Sequence, residues 1–269
     1  MRYFLFPFQI LIALILVSSS LNAQFSGELL NEAEIIPQVG ESLPLDAEFV
    51  DATGVPVQLA EVTRERPTIL CLVYFDCPML CKLAADSVVK GVTEIDADVG
   101  DKFNVVFVSF NPVDTPEKAM QAQAAALAQY GRVGAGAGWY FLTGEQAEID
   151  RLTKAVGYHY RWDPETKQFS HPSGLMIISP AGVITEYLDG VRFSAADLNS
   201  AVKRAAAGTE TKSETISFAR CYLYDPTTGK FGAAVQWTVR TLGLLTVVGL
   251  GFTVFRLTRH QHPSRKDSV

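Results

Sequence analysis

Cys77 and Cys81 stand four positions apart in YFDCPMLCKLAADS, with a proline directly after the first. Two thiols at that spacing offer three chemistries: a disulfide, a nucleophile with its resolving partner, or a pair of metal ligands. Residues four apart on a helix share a face, so both sulfurs can converge on one atom. Amides at a helix N-terminus favour negative charge, which lowers a thiol pKa and produces thiolate, the species that attacks disulfides or binds metal. Pro78 suits a first helical turn, where its missing N–H costs nothing.

The spacing weighs these alternatives. A thioredoxin-type redox motif has two residues between its cysteines, and here there are three. Soft thiolates select Cu(I), zinc or iron–sulfur clusters. Structural zinc and iron–sulfur sites want four protein ligands, and no second cysteine pair completes such a set. Copper(I) accepts three ligands, so one imidazole would suffice.

The chain has four histidines. His260 and His262 follow an apolar segment that places them on the other side of a membrane. His159, in the aromatic-rich GYHYRWD, reads as structural. His171, in FSHPSGLMIISPAG, immediately precedes a hairpin expected beside the central strands, and so can approach the start of the first helix. Met79 would point away from the face shared by the two thiols and is assigned to packing. Cys71 lies inside an apolar run and reads as a small core hydrophobe. Cys221, in CYLYDPTTGKF, falls outside the main body as an unpaired thiol, either packed, folding back toward the Cys77–Cys81 site, or pairing between chains.

The elements that must position these residues are legible as runs. PTILCLVYF (67–75) and FNVVFVSF (103–110) are continuous apolar stretches of buried strands. Helical composition follows the first from Met79 to about Ala97. After the second, Thr115 is a candidate cap, Pro116 a first-turn residue and Gly131 a stop. GRVGAGAGWYFLTG reads as a flexible glycine-rich loop before a short strand at 139–142. It lacks the Gly-Lys-Ser/Thr ending of a phosphate loop. A third helix, capped from Thr143 or Gly144, precedes a hairpin with its turn at 179–182. A fourth helix has Ser194 as N-cap and Gly208 as stop. AEFVDATGVPVQLAEV (47–62) reads as an added N-terminal hairpin. This order is that of an α/β domain, a parallel core extended by an antiparallel hairpin in the thioredoxin-like arrangement.

The ends of the chain speak to compartment. Residues 1–23 carry Arg2, an apolar run and a small-residue end at Ala23, the pattern of a secretory signal peptide. From 233 to 255 the chain is apolar apart from Gln236 and Arg240, long enough for one C-terminal transmembrane helix. The basic residues of 256–269 place that tail in the cytoplasm. The folded body is then expected on the periplasmic face of a bacterial-type membrane, with a linker at 24–42, a domain at 43–208 and a juxtamembrane segment at 209–232. The net charge of −6 and pI near 5.3 argue against a nucleic-acid binder.

In order and spacing, YFDCPMLC, VSFNPVDTPEKA, WYFLTG and SHPSGLMIISPAG resemble the Sco/SenC family of membrane-anchored, thioredoxin-like copper proteins. The resemblance covers roughly 43–207. It implies copper, as Cu(I) or Cu(II), bound by Cys77, Cys81 and His171. It further implies a role in assembling the copper centre of cytochrome c oxidase, with that enzyme's copper-bearing subunit as partner. Three positions depart from the pattern. Lys82 replaces a usual proline, Asn111 a usual aspartate, and Ser170 the acidic residue before the histidine, which removes a candidate partner for the imidazole. The C-terminal anchor also differs from the commoner N-terminal one. The expectation is a metallochaperone rather than a turnover enzyme. The alternative is a thiol:disulfide oxidoreductase with Cys77 as nucleophile and Cys81 as resolving thiol, and a thiol peroxidase is the weaker third reading.

Overall fold

A computed structural model describes residues 33–77, 80–132, 135–164, 167–217, 224–225, 230–231 and 233–260. The expected signal peptide, Pro78, Met79, Cys221 and His262 lie outside these residues. The chain forms two compact units, Met1–Cys221 and Tyr222–Val269.

The first unit is built on a five-stranded sheet. Strands β4 (Thr68–Val73) and β5 (Asn104–Ser109) are buried at every position. They pair in parallel, and β5 pairs in parallel with β6 (Ala135–Leu142). On the other side of β4 run β9 (Gly174–Ile178) and β10 (Ile184–Asp189), both antiparallel to their neighbours. Strands buried on both faces need apolar residues throughout, which is why the two central ones read as unbroken hydrophobic runs.

Helix α2 (Leu80–Thr93) follows β4 and packs against α3 (Pro116–Tyr130). Helix α4 (Gln146–Ala155) follows β6. The last helix of this unit, α5 (Ala195–Ala206), starts at Ser194, whose hydroxyl accepts from the Asp197 N–H at 3.1 Å. It packs against α2, β9 and β10.

Short strands complete the unit. β2 (Glu48–Val50) and β3 (Pro56–Gln58) pair antiparallel, and α1 (Leu59–Thr63) takes up the end of the stretch expected as a hairpin. β7 (Arg161–Asp163) pairs with β8 (Gln168–Ser170). β1 (Glu34–Ile35), inside the expected linker, pairs with β11 (Ile216–Ser217), inside the expected juxtamembrane segment.

Several local expectations are corrected. The N-cap of α4 is Glu145, so Thr143 and Gly144 are not its cap, whereas Thr115 holds the N-cap of α3 with Gly131 at its end as expected, without a side-chain capping bond. The glycine-rich stretch is not all loop, since β6 begins at Ala135. Gly138 there lies against Gly100 so closely that a Cβ would overlap its backbone.

The second unit contains β12 (Tyr224–Asp225), β13 (Lys230–Phe231) and α6 (Ala233–His260). Among the described residues no helix is long and apolar enough to cross a membrane. This differs from the expected transmembrane span over 233–255. The longest run free of charge there is 241–255, between Arg240 and Arg256, shorter than the ~20 apolar residues a span requires.

Candidate metal centre

The chain leaves β4 at Val73 and enters α2 at Leu80, at the carboxyl edge of the sheet. In such sheets chemistry gathers at the carboxyl ends of the parallel strands. A tight turn begins there: the Cys77 N–H donates to the Tyr74 carbonyl at 3.2 Å. Cys77 is half-buried. It borders a cavity of about 190 Å³ between α2 and α3, lined by Val89, Phe107 and Phe141 below and by Lys82 and Lys118 at the rim.

Asp114 holds that turn from the side. Its fully buried carboxylate accepts from the Phe75 N–H at 2.8 Å and from the Ser109 hydroxyl at 2.7 Å. The other oxygen faces Asn111 Nδ2 and Lys118 Nζ, each at 3.3 Å. Lys118 also pairs with Asp76, the residue before Cys77. The hydrogen bond to Asp76, aided by Asp114 and opposed by desolvation, raises the Lys118 pKa above its ordinary value.

His171 lies between β8 and β9 and is buried, 8% exposed. Its ring meets Tyr74 edge-on at 5.8 Å and Phe110 at 5.3 Å. Phe169 completes the cluster against both Tyr74 and Phe110 at 5.4 Å. Rings in such arrangements contribute about 0.5–1.5 kcal/mol per pair beyond burial.

The tautomer follows from hydrogen bonding. Nδ1 lies 2.8 Å from the Pro172 carbonyl, an acceptor only, so Nδ1 carries a proton, and in the neutral ring the lone pair is on Nε2. The Tyr158 hydroxyl, which donates to the same carbonyl at 3.0 Å, sits 3.1 Å from Nδ1. An imidazole fixed through Nδ1 is the usual state of a histidine that binds metal through Nε2.

The structure therefore brings His171 against Tyr74, whose carbonyl receives the Cys77 N–H. Cys81 is the second residue of α2, and its side chain lies outside the described residues. Among the described residues no group of three His, Cys, Asp or Glu is placed to hold a metal. The donors that are described, a thiol and an imidazole Nε2, suit a soft metal.

The other candidates separate cleanly. Cys71 sits in β4 opposite Phe107 and Leu175, 2% exposed, and desolvation pushes its thiol up to about 12. His159 is exposed, and its backbone N–H donates to the Glu34 carbonyl at 2.8 Å. Lys82 lies on the exposed side of α2 beside Asp86 at 3.6 Å. Ser170 faces Arg161 across the β7–β8 pair.

Sequence reasoning did not single out Tyr158 or Asp114. The aromatic density of GYHYRWD was the available signal for the first. Asp114 lies inside VSFNPVDTPEKA, but nothing in sequence alone distinguishes a carboxylate that bridges two strand ends from one that caps a turn.

A parallel β4–β5–β6 core, an antiparallel β9–β10 extension and a cysteine at the first strand-to-helix turn define a thioredoxin-like protein. Residues 41–207 match the SCO1/SenC family, and the chain belongs to it. A protein of Stutzerimonas stutzeri named for copper binding is 25% identical over 164 residues, covering 60% of this chain and 76% of its own. A solved structure from Aquifex aeolicus VF5, named for electron transfer, is 26% identical with a TM-score of 0.57, covering 63% of this chain and 95% of its own. The copper-bound ScoI of Arabidopsis thaliana shares the fold, with 16% identity and a TM-score of 0.51, over 63% of this chain and 99% of its own.

Proposed function

We propose that this protein binds copper through the thiolates of Cys77 and Cys81 and the imidazole of His171, and assists assembly of the copper centre of cytochrome c oxidase. The observation that carries the reading is the anchored His171. Its Nδ1 proton is committed to the Pro172 carbonyl, which in the neutral ring leaves Nε2 as the donor, and its ring packs on Tyr74 at the start of the Cys77 turn. Two thiolates, one from the turn after β4 and one from the first residues of α2, and one imidazole from the entry to the adjacent strand β9 make a three-donor set that suits copper.

Copper is cargo in this reading. The chain's residues take it up with the cysteines reduced, and release it by exchanging donors one at a time with those of an oxidase subunit. Membership of the SCO1/SenC family and the copper-binding relative support the choice of metal.

Delivery would take place at a membrane. Helix α6 is 28 residues long, and Leu244, Leu245, Val248, Leu250 and Phe252 on it are each at least 58% exposed. Such a continuous apolar surface supports anchoring by this helix. With residues 1–23 as a signal peptide, the folded domain stands on the periplasmic side. Resistance of the chain to alkaline extraction from membranes, and cleavage of the domain by protease added to spheroplasts, would check this placement.

The deciding test is copper stoichiometry of the reduced full chain in mild detergent, beside Cys77→Ala, Cys81→Ala and His171→Ala. One copper per chain, weakened by each substitution, is expected. Unchanged affinity in His171→Ala would remove the imidazole from the ligand set.

The second reading is a thiol:disulfide oxidoreductase acting through Cys77 and Cys81 on a membrane-proximal cysteine pair. The position of Cys77, half-buried at a strand-to-helix turn, favours it, because a thiol there is reachable by a partner. Rapid exchange of a Cys77–Cys81 disulfide in a chain that binds no copper would select this reading.

A further inference from the structure

Tyr158 reaches His171 through its hydroxyl, and a segment outside the family-matched residues holds Tyr158 in turn. The strand pair β1–β11 lies at 34–35 and 216–217, beyond both ends of the 41–207 match. Ile35 forms an antiparallel bridge with Tyr158. On one side of that bridge the Ile36 N–H donates to the Gly157 carbonyl at 2.8 Å. On the other the His159 N–H donates to the Glu34 carbonyl at 2.8 Å. Ile35 is fully buried and Tyr158 is 3% exposed.

Two further features show that this contact is built into the fold. Gly157 has φ +61°, and a Cβ there would overlap the Ile36 carbonyl, so only glycine lets the two backbones approach so closely. The Tyr187 hydroxyl then clamps the pair. It donates to the Val156 carbonyl at 3.0 Å and accepts from the Gln38 N–H at 3.1 Å.

We propose that Glu34–Gln38 is a positioning strap, which keeps Tyr158 and through it the His171 ring in the orientation that presents Nε2 to the metal. The inference rests on His171 being a copper ligand, but the ring orientation itself is measurable without metal. The strap acts through Tyr158, whose hydroxyl shares the Pro172 carbonyl with His171 Nδ1, which makes its residues positioning residues for the centre.

The test uses the full chain in mild detergent with 15N-labelled histidine, copper-free, at fixed pH. The variants are Gly157→Ala, which lifts the strap, and Tyr187→Phe, which removes one hydroxyl and cuts the clamp without approaching the site. In the wild type the His171 ring nitrogens should report the Nδ1–H tautomer. Both variants should show a mixture with the Nε2–H form. After loading with Cu(II) alone, the visible absorption should shift, and copper should leave to a chelator about 10–100-fold faster, the size of effect expected when a ligand's supporting hydrogen bonds are disturbed.

Unchanged ring nitrogens and an unchanged copper off-rate in Tyr187→Phe, with the thermal transition retained, would overturn the strap, whatever the folding of Gly157→Ala. Altered ring nitrogens in a protein whose copper binding ignores His171→Ala would instead keep the strap and overturn the ligand assignment.

Discussion

The carboxylate of Asp114 accepts the Phe75 N–H at 2.8 Å, and so ties the beginning of α3 to a backbone amide two residues ahead of Cys77. The same carboxylate takes the Ser109 hydroxyl at the end of β5 and faces Lys118, which reaches Asp76. One buried group therefore fixes the relative position of two strand ends and a helix start, with all of its hydrogen-bonding capacity used. Asp114→Ala would strand the Phe75 amide and the Ser109 hydroxyl and leave Lys118 half-paired. A loss of about 3 kcal/mol in urea unfolding is expected. Asp114→Asn keeps the shape and part of the bonding, so it should lose less. Equal losses for the two would mean that charge, not geometry, is what the site needs.

The two described cysteines should differ sharply in reactivity. Burial raises Cys71 to about 12, whereas Cys77 is half-buried at the turn. In the reduced native protein an alkylating reagent at neutral pH should modify Cys77 within minutes and leave Cys71 untouched until the domain unfolds. Mass spectrometry of peptides after a timed reaction reads both sites at once. Early labelling of Cys71 would show that β4 opens far more readily than a central strand should.

What could be read from the residues divides along physical lines. The unbroken apolar runs around Leu70 and Val106 marked the two central strands, because burial on both faces leaves no other pattern. The position of His171, just ahead of β9, was legible because that hairpin has to lie beside β4. Contacts that depend on distance in space were not. Tyr158 and Ile35 are far apart in sequence, and each looks ordinary alone. The caps were legible where residue type decides: Ser194 caps α5 with its hydroxyl, and Thr115 holds the N-cap of α3 ahead of Pro116, though without a side-chain capping bond.

The start of β6 is a sharper case. Glycines normally weaken a strand, so the stretch before Trp139 reads as loop. In the fold Gly138 passes directly over Gly100, with φ +77° and no room for a Cβ. Gly138→Ala should therefore cost about 2 kcal/mol or more, through strain at positive φ and displaced backbone. Gly136→Ala meets nothing within 4 Å, although its φ of +146° also favours glycine, and should cost less. A reversed order of thermal midpoints would refute the close approach as the reason for glycine at 138.

Tyr187 carries a pH signature separate from the metal. Desolvation, partly offset by the Gln38 N–H, pushes its phenol from 10.0 up to about 12. The sign follows from proton binding. Between those values the unfolded chain loses the phenolic proton while the folded one keeps it, so fewer protons are bound in the unfolded state and stability falls as pH rises. The contribution is fully present below pH 10 and is lost progressively toward pH 12. Its full size is on the order of 2 kcal/mol. Tyr187→Phe removes the titrating group, so its stability should be lower at neutral pH, where two hydrogen bonds are missing, yet should decline less steeply between pH 10 and 12. Urea midpoints for both proteins across that window check the slope. Parallel curves would mean that the phenol ionises as easily in the folded protein as in water, and that the clamp on Gln38 and Val156 is loose.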